Sequence, residues 1–171
     1  MVFGIFGEIA RGIIEWSQSV VSTFGYLGVF LASFVGSATI ILPAPVFLAI
    51  FAAGSVLNPW LVGIIGGLGA AIGELTGYVL GRGSKKIIEK KHKKMLSRTR
   101  SWFEKHGAFP IITLFAATPL PDDIVGILCG VINYDLKKFF LATLIGKIAM
   151  MTALAWGGAL GIQTVLQIFG G

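Results

Sequence analysis

The chain has 171 residues, of which 55% are apolar and only 13% are charged, and its mean hydropathy is +0.85. Soluble domains carry about 25% charged residues, so this composition excludes an ordinary soluble domain and predicts a membrane protein with a few short spans. The formal net charge of +6 is uneven, because 10 of the 14 Lys and Arg residues lie between Arg82 and Lys105. The single cysteine, Cys129, supports neither a disulfide framework nor a thiol metal site. The N-terminus has no basic region followed by a small-residue cleavage site, so no signal peptide is expected.

Residues 1–23 predict an amphipathic helix that lies along the membrane surface. Ile5, Ile9, Ile13 and Trp16 recur at helical spacing on one face, while charged side chains gather on another. Packing against a partner subunit is the alternative interpretation of the same pattern.

Residues 24–81 predict a first repeat, in which a broken apolar segment precedes a full span. Pro43 and Pro45 interrupt the apolar run from Tyr26 to Leu57. At about 1.5 Å per residue this run overshoots one crossing of a hydrocarbon core about 30 Å thick, yet it is too short for two crossings and a turn. We therefore predict a re-entrant hairpin with its tip at the prolines. A single tilted and kinked helix is the alternative.

The predicted span from Trp60 to Gly81 has glycine at every fourth position from residue 69 to residue 81. A face without side chains lets another helix approach closely, so the pattern predicts tight helix packing, and a homo-oligomer formed through this helix is one option. Glu74 is the only charged residue between Trp60 and Gly81, and a carboxylate inside a membrane span either pairs with a cation or titrates.

Residues 82–106 predict a basic amphipathic helix on the cytoplasmic surface. Its apolar side chains share one side, and its positive charge suits anionic headgroups and cytoplasmic placement. Membrane attachment accounts for the charge, so no nucleic-acid partner is expected. His92 and His106 have no acidic or cysteine neighbours at ligand spacing, so no metal site is predicted.

Residues 107–160 predict a second repeat of the same kind. Pro119 and Pro121 interrupt its first apolar run, with about twelve residues on either side, and Asp122 and Asp123 follow. Twelve helical residues cover about 18 Å, enough to reach the bilayer midplane and return. The two carboxylates are candidate titrating groups; the simpler interpretation is that they cap a helix start.

The second span, from Phe139 to Leu160, has one charge, Lys147, and a short apolar tail is expected after it. Glu74 and Lys147 lie seven and eight residues from the cytoplasmic ends of their helices, which places both about 10–12 Å deep in antiparallel helices. Because an unpaired charge at that depth costs several kcal/mol, we predict a Glu74–Lys147 contact, direct or through one water.

Positive charge follows the first span and flanks the second hairpin, so the two hairpin-plus-span units have opposite orientations. The predicted fold is an all-α integral membrane protein, an inverted repeat of a re-entrant helical hairpin plus a transmembrane helix, with interfacial amphipathic helices. One membrane domain covers residues 1–171.

Several motifs of the chain resemble the DedA family, also called the VTT-domain or SNARE-associated Golgi protein family. They are the sequence from Gly69 to Glu74 running into Tyr78–Gly83, then Phe103–Gly107, the second proline motif and the last span, so the likeness covers about residues 25–160. The resemblance implies two facing re-entrant hairpins and translocation of phosphate-bearing lipids, such as polyprenyl phosphates or phospholipids, in a cell membrane.

Two departures from the family pattern concern charge. The first proline motif lacks an acidic residue, with only Ser37 and Thr39 as polar side chains before it, and the second has alanines and aspartates where many bacterial members have arginines. Glu74 and Arg82 do match their family positions. These departures bear on the substrate more than on the fold.

Three functions are weighed. A lipid translocase would use the free backbone N–H groups of half-helices starting at Val46 and Asp122 to hold a phosphate headgroup. A proton-coupled carrier of a small solute, or a structural membrane protein acting through partner helices, are the alternatives. No nucleophile–base pair or phosphate loop occurs, so we predict a non-enzyme without a cofactor. The candidate substrate- or ion-binding residues are Glu74, Asp122, Asp123, Arg82 and Lys147.

Overall fold

The computed structural model describes residues 19, 23–38, 44–119 and 123–169. Within these ranges the chain is helical throughout apart from short connections, with no β-strand. The helices are α1 (Thr23–Ala38), α2 (Ala44–Val56), α3 (Pro59–Gly83), α4 (Lys85–His106), α5 (Ala108–Ala116), α6 (Asp123–Val131) and α7 (Leu136–Phe169). Almost all of the predicted surface helix over residues 1–23 lies outside the described residues, as do Pro43, Pro121 and Asp122.

Helices α3 and α7 form the centre of the fold, and stretches of both are long and apolar enough to cross a membrane, Pro59–Gly83 and Leu136–Gly161. They run antiparallel, because Gly63 of α3 faces Thr152 of α7 and Gly67 faces Ile148. This confirms the two long apolar helices predicted from hydropathy. The second candidate span ends at Gly161, close to the predicted Leu160, and α7 continues beyond it to Phe169.

Polar side chains fix where the two central helices begin. The Asn58 side chain accepts hydrogen bonds from the backbone N–H groups of Trp60 and Leu61, and Pro59 occupies the first position of α3. The Asp135 carboxylate accepts one from the Lys138 N–H at the start of α7. Both residues satisfy donors that a helix start leaves without intrahelical partners.

Each predicted hairpin region contains two short apolar helices with a break near the prolines, α1 and α2 in the first and α5 and α6 in the second. In the second region α5 packs on α7 and α6 packs on α3, and the re-entrant path itself stays a prediction. Helix α2 is described from Ala44, two residues before the predicted start at Val46, and α6 is described from Asp123, the first described residue after the second proline motif.

Helix α5 is shorter than expected, with nine residues instead of about twelve before the prolines. Helix α5 ends at Ala116 because Pro119 disfavours helical backbone just before it, and the Thr118 hydroxyl donates to the Phe115 carbonyl in the resulting turn. At the far end, Asn133 adopts a left-handed φ of 54° and its N–H donates to Gly130, which ends α6.

The glycine ladder of α3 packs closely as predicted, but against two different helices. Gly69 and Gly73 contact α1, at the Phe30 and Phe34 carbonyls, whereas Gly81 contacts α6. Every four-residue step turns a helix by about 40° beyond a full turn, so the twelve residues from Gly69 to Gly81 rotate the glycine face by about 120°. These contacts lie within the chain; a homo-oligomer through this helix stays a prediction.

The second arm of each hairpin packs on the central helix of the other half of the chain. In the first half, Gly54 of α2 lies against the Ala155 backbone of α7. In the second, Gly130 of α6 lies against the Tyr78 backbone of α3. A Cβ on either glycine would overlap the facing backbone, so both sites demand glycine.

Helix α4 is amphipathic as predicted, although its apolar side is divided. Leu96 and Phe103 are buried against the helical core, whereas Met95 and Trp102 are 45% and 48% exposed. These two exposed side chains give the basic helix α4 an apolar edge, which is typical of a helix at a membrane surface.

Candidate functional site

The clearest polar feature of the interior is an ion pair between the two central helices. Lys147 Nζ lies 2.9 Å from Glu74 Oε1, and the two residues are only 5% and 2% exposed. This confirms the contact predicted from their matching depths. A charge-assisted hydrogen bond of this length compensates part of the cost of burying both charges.

The ion pair lies at the level of the second proline tip. The backbones of α3 and α6 are close here. If Gly126 of α6 carried a Cβ, that atom would lie 3.6 Å from the Glu74 carbonyl oxygen, and a Cβ on Gly77 of α3 would lie 3.6 Å from the Asp123 carbonyl oxygen. On the other side, Gly146, next to Lys147, faces Thr113 and Ala116 near the end of α5. Thus α5 ends and α6 begins beside the buried pair.

Asp123 occupies the first turn of α6 and is half-buried, as expected for a helix-capping or a titrating carboxylate. Arg82 is separate from this group. It is exposed, and its backbone lies beside Gly130 at the opposite end of α6. Among the predicted site residues, the structure pairs Glu74 with Lys147 and places the Asp123 backbone beside Gly77, about one turn along α3 from Glu74; we call these three residues the tip site. Pro119 precedes it and is exposed.

Two further buried polar residues were missed by the sequence reasoning. Thr143, 3% exposed, lies one turn before Lys147 on the same side of α7. Its spacing of four residues from the lysine was the available signal. Ser33 of α1 is fully buried near Gly66, and within the described part of the chain its hydroxyl has no hydrogen-bond partner. Nothing in the sequence around Ser33 distinguishes it from an ordinary small packing residue.

A bundle of apolar helices, glycine-packed at its centre and holding a buried ion pair, is the architecture of a helical membrane protein. Comparison with known proteins agrees with this class. A family model described as the VTT domain matches residues 42–160, well over half of the chain. The chain belongs to the VTT-domain family, which confirms the resemblance found in its motifs.

Two relatives show how far the similarity extends. Vacuole membrane protein KMS2 of Arabidopsis thaliana is 35% identical over 106 residues, covering 52% of this chain and 26% of that protein. The uncharacterized membrane protein YbfM of Bacillus subtilis (strain 168) is 28% identical over 144 residues, covering 78% of this chain and 88% of that protein. The chain thus spans about a quarter of KMS2 and most of YbfM. No solved structure matches it.

Proposed function

We propose that this protein moves a phosphate-bearing lipid across a cell membrane, as a carrier and not as an enzyme, through an inverted repeat of two re-entrant hairpins. Membership of the VTT-domain family makes a membrane-associated transport function the broad expectation. The lipid substrate, the re-entrant path and the cytoplasmic placement of residues 82–106 are parts of the proposal.

The observation that carries the proposal is a set of close backbone contacts that recurs after 77 residues. Gly81 of α3 faces the Ile127 carbonyl of α6, and Gly158 of α7 faces the Phe51 carbonyl of α2. The two glycines are 77 residues apart, and their partners are 76 apart. Each central helix therefore receives the second arm of the opposite hairpin in the same way.

The same offset relates other equivalent positions. Asn58 and Asp135, which cap α3 and α7, are 77 residues apart. Gly69, which faces α1, and Gly146, which faces α5, are also 77 residues apart. Since α3 and α7 run antiparallel, the relation supports two repeats of opposite orientation, the architecture in which alternating access to a central site is common.

The charges break this symmetry. At the same offset, Glu74 corresponds to Met151 and Lys147 to Ala70, and both of these counterparts are buried in an apolar cluster. Buried charge among the described residues is therefore confined to the second tip. We infer that a phosphate headgroup engages this tip, where α6 begins, and that the acyl chains remain in the bilayer.

Lipid flipping in proteoliposomes tests this function. A fluorescent phospholipid that is bleached from outside by dithionite should reach complete bleaching only in vesicles containing the protein. Asp122→Asn and Asp123→Asn should leave the fold intact, because asparagine also caps helices, and at least one should slow flipping severalfold. Asp135→Asn, which changes a capping carboxylate away from the tip, is the matched control and should flip at the wild-type rate.

Two outcomes would contradict the proposal or part of it. Wild-type vesicles that bleach no further than empty ones would remove the lipid function. Wild-type rates in both tip variants would leave the carboxylates as helix caps.

The second candidate function is proton-coupled transport of a small solute. The feature that favours it is a pair of acidic residues in the apolar segments: Glu74 is buried, and the backbone of Asp123 lies beside α3 about one turn from Glu74. It predicts solute uptake driven by a pH gradient in the same vesicles, with no bleaching of inner-leaflet lipid.

A further inference from the structure

A cavity of about 670 Å³ lies at the opposite end of the second hairpin from the tip site. The second half of α4, the start of α5 and the connection between α6 and α7 form its walls. None of Glu74, Asp123 and Lys147 lines it. Its volume is typical of a site for a ligand of drug size.

Two cations from distant parts of the chain meet at this cavity. Arg100 of α4 and Lys138 of α7 both line it, and both are exposed. Asp135 also lines the cavity, but one of its carboxylate oxygens already accepts the backbone N–H of Lys138 at 2.8 Å. The side-chain charges of the cavity therefore favour an anion.

The connection that forms one wall is ordered by its own hydrogen bonds. The Tyr134 N–H donates to the Cys129 carbonyl at 2.9 Å, and the Tyr134 carbonyl accepts the Tyr78 hydroxyl. Burial, followed by nearby Cys129 and Asp135, raises the pKa of the Tyr134 phenol, so its ring brings no negative charge at neutral pH. A wall held in this way costs a ligand little ordering entropy.

Apart from Asn133, the remaining lining is apolar and continues along the outside of the hairpin. Phe109 and Ile132 are half-buried in the wall, and Pro110 is exposed at its edge. Leu114, one turn further along α5 on the same face, is 66% exposed. An apolar track thus leads from the charged cavity along α5 towards its tip end.

We propose that this cavity binds one anionic phospholipid, with its phosphodiester on Arg100 and Lys138 and an acyl chain along Pro110 and Leu114. The cations suit the phosphate, and the apolar track suits a chain that a soluble anion lacks. The backbone N–H groups in the first turn of α5 add donors, since Gly107 has no side chain to cap them. This lipid stays at the surface and does not depend on the proposed translocation path.

The test uses the full chain in detergent, titrated with phosphatidylglycerol or phosphatidylcholine and examined by native mass spectrometry. We expect one phosphatidylglycerol to be retained per chain at concentrations where phosphatidylcholine is not. Arg100→Gln combined with Lys138→Gln should weaken that retention at least about tenfold, the scale of losing charge-assisted hydrogen bonds. Both positions are exposed, so the melting temperature should be unchanged.

The matched control is Lys93→Gln combined with Lys94→Gln, which removes two exposed charges from α4 outside the cavity. It should change retention less than twofold. Equal losses in the two double variants would overturn the site in favour of diffuse attraction to the basic helix. Displacement of the lipid by excess inorganic phosphate would show a site for a soluble anion instead. Absence of flipping activity would leave these binding results intact.

Discussion

The Glu74–Lys147 ion pair can be tested by a double-mutant cycle. Glu74→Gln should leave the Lys147 ammonium buried without its carboxylate, and Lys147→Met should leave the Glu74 carboxylate without its ammonium. Because the residues are only 2% and 5% exposed, water cannot replace the missing partner without a change in packing. The double replacement removes both charges while keeping similar volumes, so it should cost less than either single change.

The magnitude has an upper limit, because a stranded group can become neutral instead of staying charged. At pH 7, releasing the proton of a lysine side chain costs about 4.6 kcal/mol, and protonating a glutamate side chain costs about 3.7 kcal/mol, from their ordinary titration ranges. These limits agree with the 3–5 kcal/mol, roughly, that breaking a buried pair costs. A loss of this size is a large part of a typical stability of about 5–15 kcal/mol.

The limits also predict a difference in pH response. At pH 5 protonating a glutamate costs only about 1 kcal/mol, so Lys147→Met should recover stability on acidification. Glu74→Gln should not, because neutralising a lysine becomes harder as the pH falls.

The assay is equilibrium unfolding in mixed micelles of the wild type, both single variants and the double variant at pH 7 and pH 5. Lys137→Met, an exposed lysine near the start of α7, is the control for loss of one charge and should stay within about 0.5 kcal/mol of the wild type. Additive losses at pH 7 would refute the pairing as an energetic unit. If Glu74→Gln regained stability at pH 5 as well as Lys147→Met, the assignment of a stranded ammonium to the first variant and a stranded carboxylate to the second would be wrong.

Three further predictions follow from the fold. With Cys129 replaced, cysteines introduced near residue 94 should label only from the cytoplasmic side and those near Asn58 only from outside; labelling of both from one side would remove the inverted repeat. Asp123→Asn should keep the wild-type melting temperature, because asparagine preserves the cap, and a marked loss in thermal unfolding would show that the charge itself holds the tip together. Gly81→Ala should destabilise the protein by 2 kcal/mol, roughly, because its Cβ overlaps the Ile127 carbonyl. Gly83→Ala, with nothing within 4 Å, is its control and should be neutral or slightly stabilising in the same unfolding assay.

Properties that depend on position along a single helix followed from the sequence. Hydropathy and proline positions predicted the long apolar helices and the breaks between the short ones, since helix length and interruption are local properties. The Glu74–Lys147 contact also followed, because a fixed rise per residue converts distance from a basic helix end into depth. Depth alone was enough to predict this pair, because each of the two predicted spans has one charged residue far from its ends.

Which helices become neighbours was decided only by the tertiary structure. The sequence predicted that Gly81 would pack closely, but not that its partner would be α6 while Gly69 contacts α1. Lipid tails and helix surfaces are equally apolar, so hydrophobicity does not identify the partner, and the choice depends on the fit of facing surfaces. The meeting of Arg100 and Lys138 at one cavity has the same origin, since α4 and α7 both pack against α5 in the tertiary structure.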